Sequence, residues 1–176
     1  MWPQPGEVLH FSEDRTIRRF VPRAGPQAEA YVWAVDRSRA PDYWFPRECP
    51  RVMSWATGAT ARDDRERILG PGGGERVHAV EYGWLDAIRT VRLFAYRLPA
   101  DRFRPFGEPV PHAVVATEPV QPLGPPEPVG NLFQRHEQAD IQLRVLTNLW
   151  PFWDAVAEST LGYSGIRLRN ARRPAR

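Results

Sequence analysis

Lysine is absent: all 24 basic residues of the 176-residue chain are arginine, and against 21 acids they leave a net charge of only +3. That balance is too small for overall charge alone to make the chain a nucleic-acid binder. Cysteine is almost absent too. The single Cys49 excludes an internal disulfide and agrees with a reducing compartment. No apolar run approaches the roughly 18 residues that span a bilayer. The start, Met1-Trp2-Pro3-Gln4-Pro5-Gly6-Glu7, lacks the basic residues and apolar stretch of a secretion signal. The expected location is therefore the cytoplasm. No Gly-x-Ser-x-Gly, His-Glu-x-x-His or Rossmann glycine pattern occurs. Gly70 to Gly74 reads as a flexible connector: a strand follows it, and no Lys-Ser/Thr does, so it is no phosphate loop. His78, His112 and His136 have no metal-like spacing with one another or with Cys49, so no metal is expected.

What is present reads as short strands with a few helices. Strands are predicted at 8–11, 31–35, 50–55, 76–82, 91–98, 112–117 and 141–146 from alternation and β-branched content. Helices are predicted at 38–46, 62–69, 83–89, 130–139 and 148–160. The last is the strongest, with Asn148 as cap, Leu149, Phe152, Trp153, Val156 and Thr160 on one stripe, and Gly162 as stop. Residues 22–28 form a turn, and the five prolines between Glu118 and Gly130 impose an extended connection. Strands and helices do not alternate regularly, which argues against a doubly wound parallel sheet. The expected fold is a single α+β domain over 1–171, with a bent or split, mainly antiparallel sheet and flanking helices. A basic tail, 172–176, follows it.

Several residues are candidates for chemistry. His10 shares a strand face with Val8 and Ser12; with Leu9 and Phe11 toward the core, it looks outward or into a cleft. There it can hold a ribose hydroxyl or exchange a proton near neutral pH, or it is a structural histidine bonded to a carbonyl. Tyr31 and Trp33 share a face and form either a stacking platform or core, and Tyr43 and Trp44 can extend either. Arg47 and Arg51 flank Cys49. They are better candidates as anion ligands than Cys49 is as a nucleophile, since no histidine is spaced to serve it as base. Glu81 and Glu118 end apolar strands, where a carboxylate can stabilise a developing cation or simply meet solvent. Arg167, Arg169, Arg172, Arg173 and Arg176 cluster with no acid between them, as a phosphate contact or a solvated end.

The stretches His10-Phe11-Ser12-Glu13-Asp14, Phe45-Pro46-Arg47-Glu48-Cys49-Pro50-Arg51, Leu149-Trp150-Pro151-Phe152-Trp153-Asp154 and Ser164-Gly165-Ile166-Arg167-Leu168-Arg169-Asn170 resemble a bacterial family of unknown function. The likeness runs from Leu9 to about Ala171. More loosely, an early strand with His10, then an aromatic strand running into a helix with Ala40 and Tyr43, is similar to ADP-ribosyltransferase-like domains. That resemblance implies NAD in a cleft between two small sheets. It gives His10 the nicotinamide-side ribose, Tyr31 or Tyr43 the nicotinamide ring, and Glu118 the steering of transfer. Ser12, Trp33, Arg47 and Arg51 would complete the lining. Pro119 directly after Glu118, and the lack of a Gln/Glu-x-Glu signature, depart from that pattern. The expected activity is ADP-ribosyl transfer or NAD cleavage. The alternative is a non-catalytic module binding a nucleotide, RNA or protein through the same pocket or the arginine-rich C-terminus.

Overall fold

The chain is described by a computed structural model over residues 1–24, 29–108 and 110–173. Part of the turn expected at 22–28, and Arg176 of the basic tail, lie outside these residues. In chain order the first elements are β1 (Glu7–Ser12), β2 (Arg23–Ala24), β3 (Ala30–Ala34), a 3-10 turn (Ala40–Tyr43) and β4 (Arg51–Trp55). Next come α1 (Arg62–Asp64), continuing into a π turn (Arg65–Leu69), β5 (Arg76–Glu81) and α2 (Leu85–Thr90). The chain goes on through β6 (Phe94–Pro99), β7 (Arg104–Phe106), β8 (Ala113–Ala116) and β9 (Glu127–Pro128). It ends with α3 (Leu132–Gln138), β10 (Ile141–Leu146), α4 (Trp150–Ala157) and β11 (Gly162–Ile166). The class is α+β, with antiparallel pairing predominant. No helix among the described residues is long and apolar enough to cross a membrane.

Contacts gather the chain into two compact units. The first joins Met1–Arg47 to Arg92–Gly130, and the second joins Glu48–Val91 to the residues from Asn131 on. In the first unit, one sheet has the order β1-β6-β9 and another the order β2-β3-β8-β7. Their inner faces share a core of Val8, Phe20, Val32, Ala34, Tyr96, Leu98 and Ala116. A single antiparallel bridge, Leu9 to Val35, links the two sheets at one corner. The sheet is thus split, with β1 and β3 splaying apart from that bridge. Leu9 is fully buried on the outer face of β1, with Val35 and Ala40.

The second unit is a sheet of order β10-β5-β4-β11. β10 runs parallel to β5, while β4 runs antiparallel to both β5 and β11. Val52, Val77, Ala79, Leu149 and Val156 form its core with Ile68 and Leu69 of the π turn. Three expectations need correction here. The glycine run is a pinned turn rather than a flexible connector: Gln142 Nε2 donates to the Leu69 and Gly73 carbonyls at 3.0 and 2.6 Å. Gly74 has φ +73°, and a Cβ there would overlap the Asp140 carbonyl oxygen. Secondly, α4 ends at Ala157, so Thr160 is not on its stripe. Thirdly, Gly162 opens β11, whose close approach to Trp55 leaves no room for a side chain, instead of stopping a helix.

Candidate functional site

His10 lies on the inner face of β1, opposite Tyr96 in the neighbouring strand and level with Val8. Its ring is tilted against Phe20, 4.6 Å between centroids. Nδ1 lies 2.7 Å from the Trp33 carbonyl oxygen. A carbonyl only accepts, so Nδ1 carries the proton and Nε2 holds the lone pair. Continued pairing from the Leu9–Val35 bridge would bring the Phe11 amide to that carbonyl; where the sheets part, the His10 ring replaces it. The histidine therefore spans the split. Nε2 has no partner among the described residues. Burial lowers the pKa of the ring, and the nearby Arg47 and Arg23 lower it further against the opposing effect of the Trp33 bond. Neutral imidazole is the form at pH 7, offering one acceptor amid positive charge.

The other candidate residues lie around this point at different distances and on different faces. Ser12, half-buried further along β1, accepts from the Asp14 amide at 3.1 Å. Tyr31 and Trp33 occupy the outer face of β3, since Val32 and Ala34 take the inner one. They pack edge-to-face with each other and with Phe106, at 5.8, 5.3 and 4.9 Å between centroids, and so form no open flat platform. The Tyr31 hydroxyl donates to Glu29, which raises its pKa, and accepts from Arg104 at 3.3 Å. Tyr43 packs against the Leu9–Val35–Ala40 cluster, on the side of β1 away from His10. Arg47 is exposed, and its amide donates to Glu13 Oε1 at 2.9 Å. Arg51 is buried in the second unit, where its Nη1 donates to the Cys49 carbonyl at 2.9 Å.

Glu118 follows the end of β8 with a side chain 81% exposed, and Arg102 is 3.9 Å away. It borders a shallow depression with Asp101, Arg102, Thr117 and Val120. Val120 bridges Phe20, whose ring faces His10, but no hydrogen bond or ion pair joins His10 to Glu118 among the described residues. The ring adjoining His10 is thus Phe20, which sequence reading passed over. Its only signal there was a lone aromatic in an arginine-rich stretch.

Three further polar groups of the second unit emerge only in three dimensions. Arg76 Nε donates to His78 Nε2 at 3.0 Å. His78 Nδ1 is 3.0 Å from His136 Nε2, and His136 Nδ1 is 2.7 Å from the Leu132 carbonyl. Donors and acceptors alternate in one consistent direction: both rings carry their proton on Nδ1 and tie α3 to β5. The pair is 58 residues apart in sequence, and no spacing rule finds it. Glu81, 7% exposed, accepts the Leu149 and Arg172 amides at 3.0–3.1 Å, which caps α4 and anchors the C-terminal segment. Glu48 meets both Arg167 and Arg169 at 3.3 Å, so two of the C-terminal arginines that lack an acid in sequence have one in space.

Fold and site together define an α+β protein with a split two-sheet unit and one oriented histidine whose Nε2 has no partner among the described residues. The chain belongs to a family of unknown function (DUF6886), whose model matches residues 9–171. No curated protein and no solved structure matches it.

Proposed function

We propose that the first unit binds NAD or a related ADP-ribosyl nucleotide at the edge of its two sheets, and that the protein transfers or hydrolyses the ADP-ribosyl group. The observation that carries this reading is His10, whose Nδ1–H is spent on the Trp33 carbonyl, so that Nε2 is held ready to accept from a ribose hydroxyl. Arg23 and Arg47, close enough to act on its charge, suit a diphosphate. In the reaction the bond from ribose C1′ to the nicotinamide nitrogen breaks and nicotinamide leaves with the electron pair. A water or acceptor hydroxyl then bonds to C1′ and gives up its proton. Glu118, at the end of β8, is the carboxylate whose charge would stabilise the oxocarbenium-like state.

A second reading, a binding module without turnover, is favoured by the exposure of Glu118 and its pairing with Arg102. Thermal-shift titrations with NAD, ADP-ribose and nicotinamide, on wild type and His10→Ala, test the pocket. The quantity to read is the ligand-dependent increment, because His10→Ala by itself orphans the Trp33 carbonyl at a cost of about 1–3 kcal/mol. A ligand at a hundredfold excess over Kd adds about 2.7 kcal/mol. We expect an increment with NAD that His10→Ala removes; no increment with any of the three compounds overturns the proposal. NAD consumption then separates the two readings. Turnover lost in Glu118→Gln with NAD binding retained supports transfer, whereas binding without wild-type turnover leaves the module.

A further inference from the structure

Seven exposed arginines of this protein face a carboxylate: Arg62 faces Glu66, Arg65 faces Glu75, Arg67 faces Asp64, Arg89 faces Asp86, Arg102 faces Glu118, Arg104 faces Glu29, and Arg169 faces Glu48. The segment between β1 and β3 gathers four that do not. Arg15, Arg18, Arg19 and Arg23 are all exposed, and no carboxylate pairs with any of them among the described residues. Their acidic neighbours are committed elsewhere. Glu13 accepts the Arg47 amide, and Asp14 accepts the Thr16 amide and hydroxyl.

The segment is also firmly seated. Phe20 belongs to the core between the sheets, with Ile17 packed against it. Phe20 exchanges backbone hydrogen bonds with Val120 at 2.8 and 2.9 Å. The Tyr96 hydroxyl donates to the Asp14 carbonyl at 2.7 Å and accepts the Ile17 amide at 3.1 Å. Anchored by Ile17 and Phe20, the chain turns four guanidinium groups outward from a fixed backbone. Uncompensated like charges on one surface cost the native state self-repulsion.

We propose that this arginine strip is a docking surface for the phosphodiester backbone of a single-stranded nucleic acid. Guanidinium forks match phosphate oxygens bidentately, and a strip of cations on a rigid segment can follow a backbone of repeated charges. An anionic membrane fits less well, because Val21 is the only exposed large apolar side chain in the described part of the segment and offers no face for insertion.

The test is fluorescence anisotropy of the full chain with a labelled 20-nucleotide single strand over a salt series. The comparison is wild type, Arg15→Ala/Arg18→Ala/Arg19→Ala, and an Arg172→Ala/Arg173→Ala control. Four phosphate contacts predict a slope of log K against log salt near about −3, since each contributes about −0.7 on single strands. The triple variant should lose about 2 of that slope and bind at least tenfold more weakly at low salt, with a melting temperature no lower than wild type and the control as wild type. No wild-type binding at low salt, an unaffected triple variant, or loss confined to the control overturns the assignment. So does equal retention on anionic lipid vesicles or on a poly-glutamate peptide. Arg23 borders both this strip and the His10 pocket and is left intact in the triple variant, so failure here and failure of the NAD titration are distinguishable.

Discussion

At the scale of single residues, burial decides what charge in the sequence leaves open. Arg47 and Arg51 beside Cys49 suggest an activated thiol. In the structure Cys49 is fully buried, and burial pushes its thiol up to about 12 against the opposing effect of Arg51. Native protein at pH 8 should therefore react negligibly with a thiol-specific disulfide reagent, and stoichiometrically once unfolded in guanidinium. Fast native labelling would contradict the burial. Glu81 illustrates the opposite case, a carboxylate that reads like a solvated strand end yet serves two backbone amides. Replacing it by Ala leaves both donors without an acceptor and should cost about 2–4 kcal/mol in urea unfolding. Glu81→Gln, which retains an acceptor, should cost less; equal losses would indicate that packing rather than hydrogen bonding is responsible.

At the scale of elements, stability rests on side chains that clasp one segment to another. Asp64 in α1 accepts the Thr160 amide and hydroxyl, each at 2.8 Å, and pairs with Arg67 at 2.7 Å. Arg67 first, and then Thr160, hold its carboxyl down to about 2. An unfolded aspartate titrates near about 3.9. Between these values the unfolded chain takes up a proton that the native carboxylate refuses, so stability falls as pH drops from about 4 to about 2. The gap in urea midpoint between wild type and Asp64→Asn should be full at pH 6 and shrink through that window. A gap independent of pH would exclude the clasp as its source. In the turn ahead of β5, Gly74→Ala forces a side chain onto the Asp140 carbonyl at positive φ. It should cost about 1–3 kcal/mol, measurable as a lower melting temperature.

At the scale of the whole molecule, neither unit is a contiguous piece of chain. The β1-β6-β9 sheet takes β1 from before residue 91 and the other strands from after it, and the four-stranded sheet likewise takes β4 and β5 from before and β10 and β11 from after. Fragments 1–91 and 92–176 each lose essential partners from both cores. Each should lack a cooperative melting transition alone, and a mixture should regain one. A cooperative transition in either fragment by itself would contradict this interdependence.

Periodicity alone determined a good deal. All seven strands read from alternation are present, and three of the five predicted helices lie near their expected positions, while 38–46 holds only the 3-10 turn Ala40–Tyr43 and 62–69 a single α turn running into the π turn. Short β2, β7 and β9 were illegible, since two or three residues carry no period. β11 was missed because Gly162-Tyr163-Ser164-Gly165-Ile166 lacks an apolar alternation and forms a strand only by pairing with β4. His10 stood out by composition, a polar group in an apolar strand. That its ring completes a split sheet and leaves Nε2 as the acceptor depended on Trp33, 23 residues away. The sequence by itself determined the seven longer strands, the α+β class and the candidate histidine, all consequences of local pattern. Only the tertiary structure decided that Phe20 adjoins His10, that Tyr43 lies behind β1, that Glu48 pairs with Arg167 and Arg169 and that Arg15, Arg18, Arg19 and Arg23 face no carboxylate among the described residues. Those facts depend on which distant residues the folded chain brings within a few ångströms, and local pattern carries no record of that.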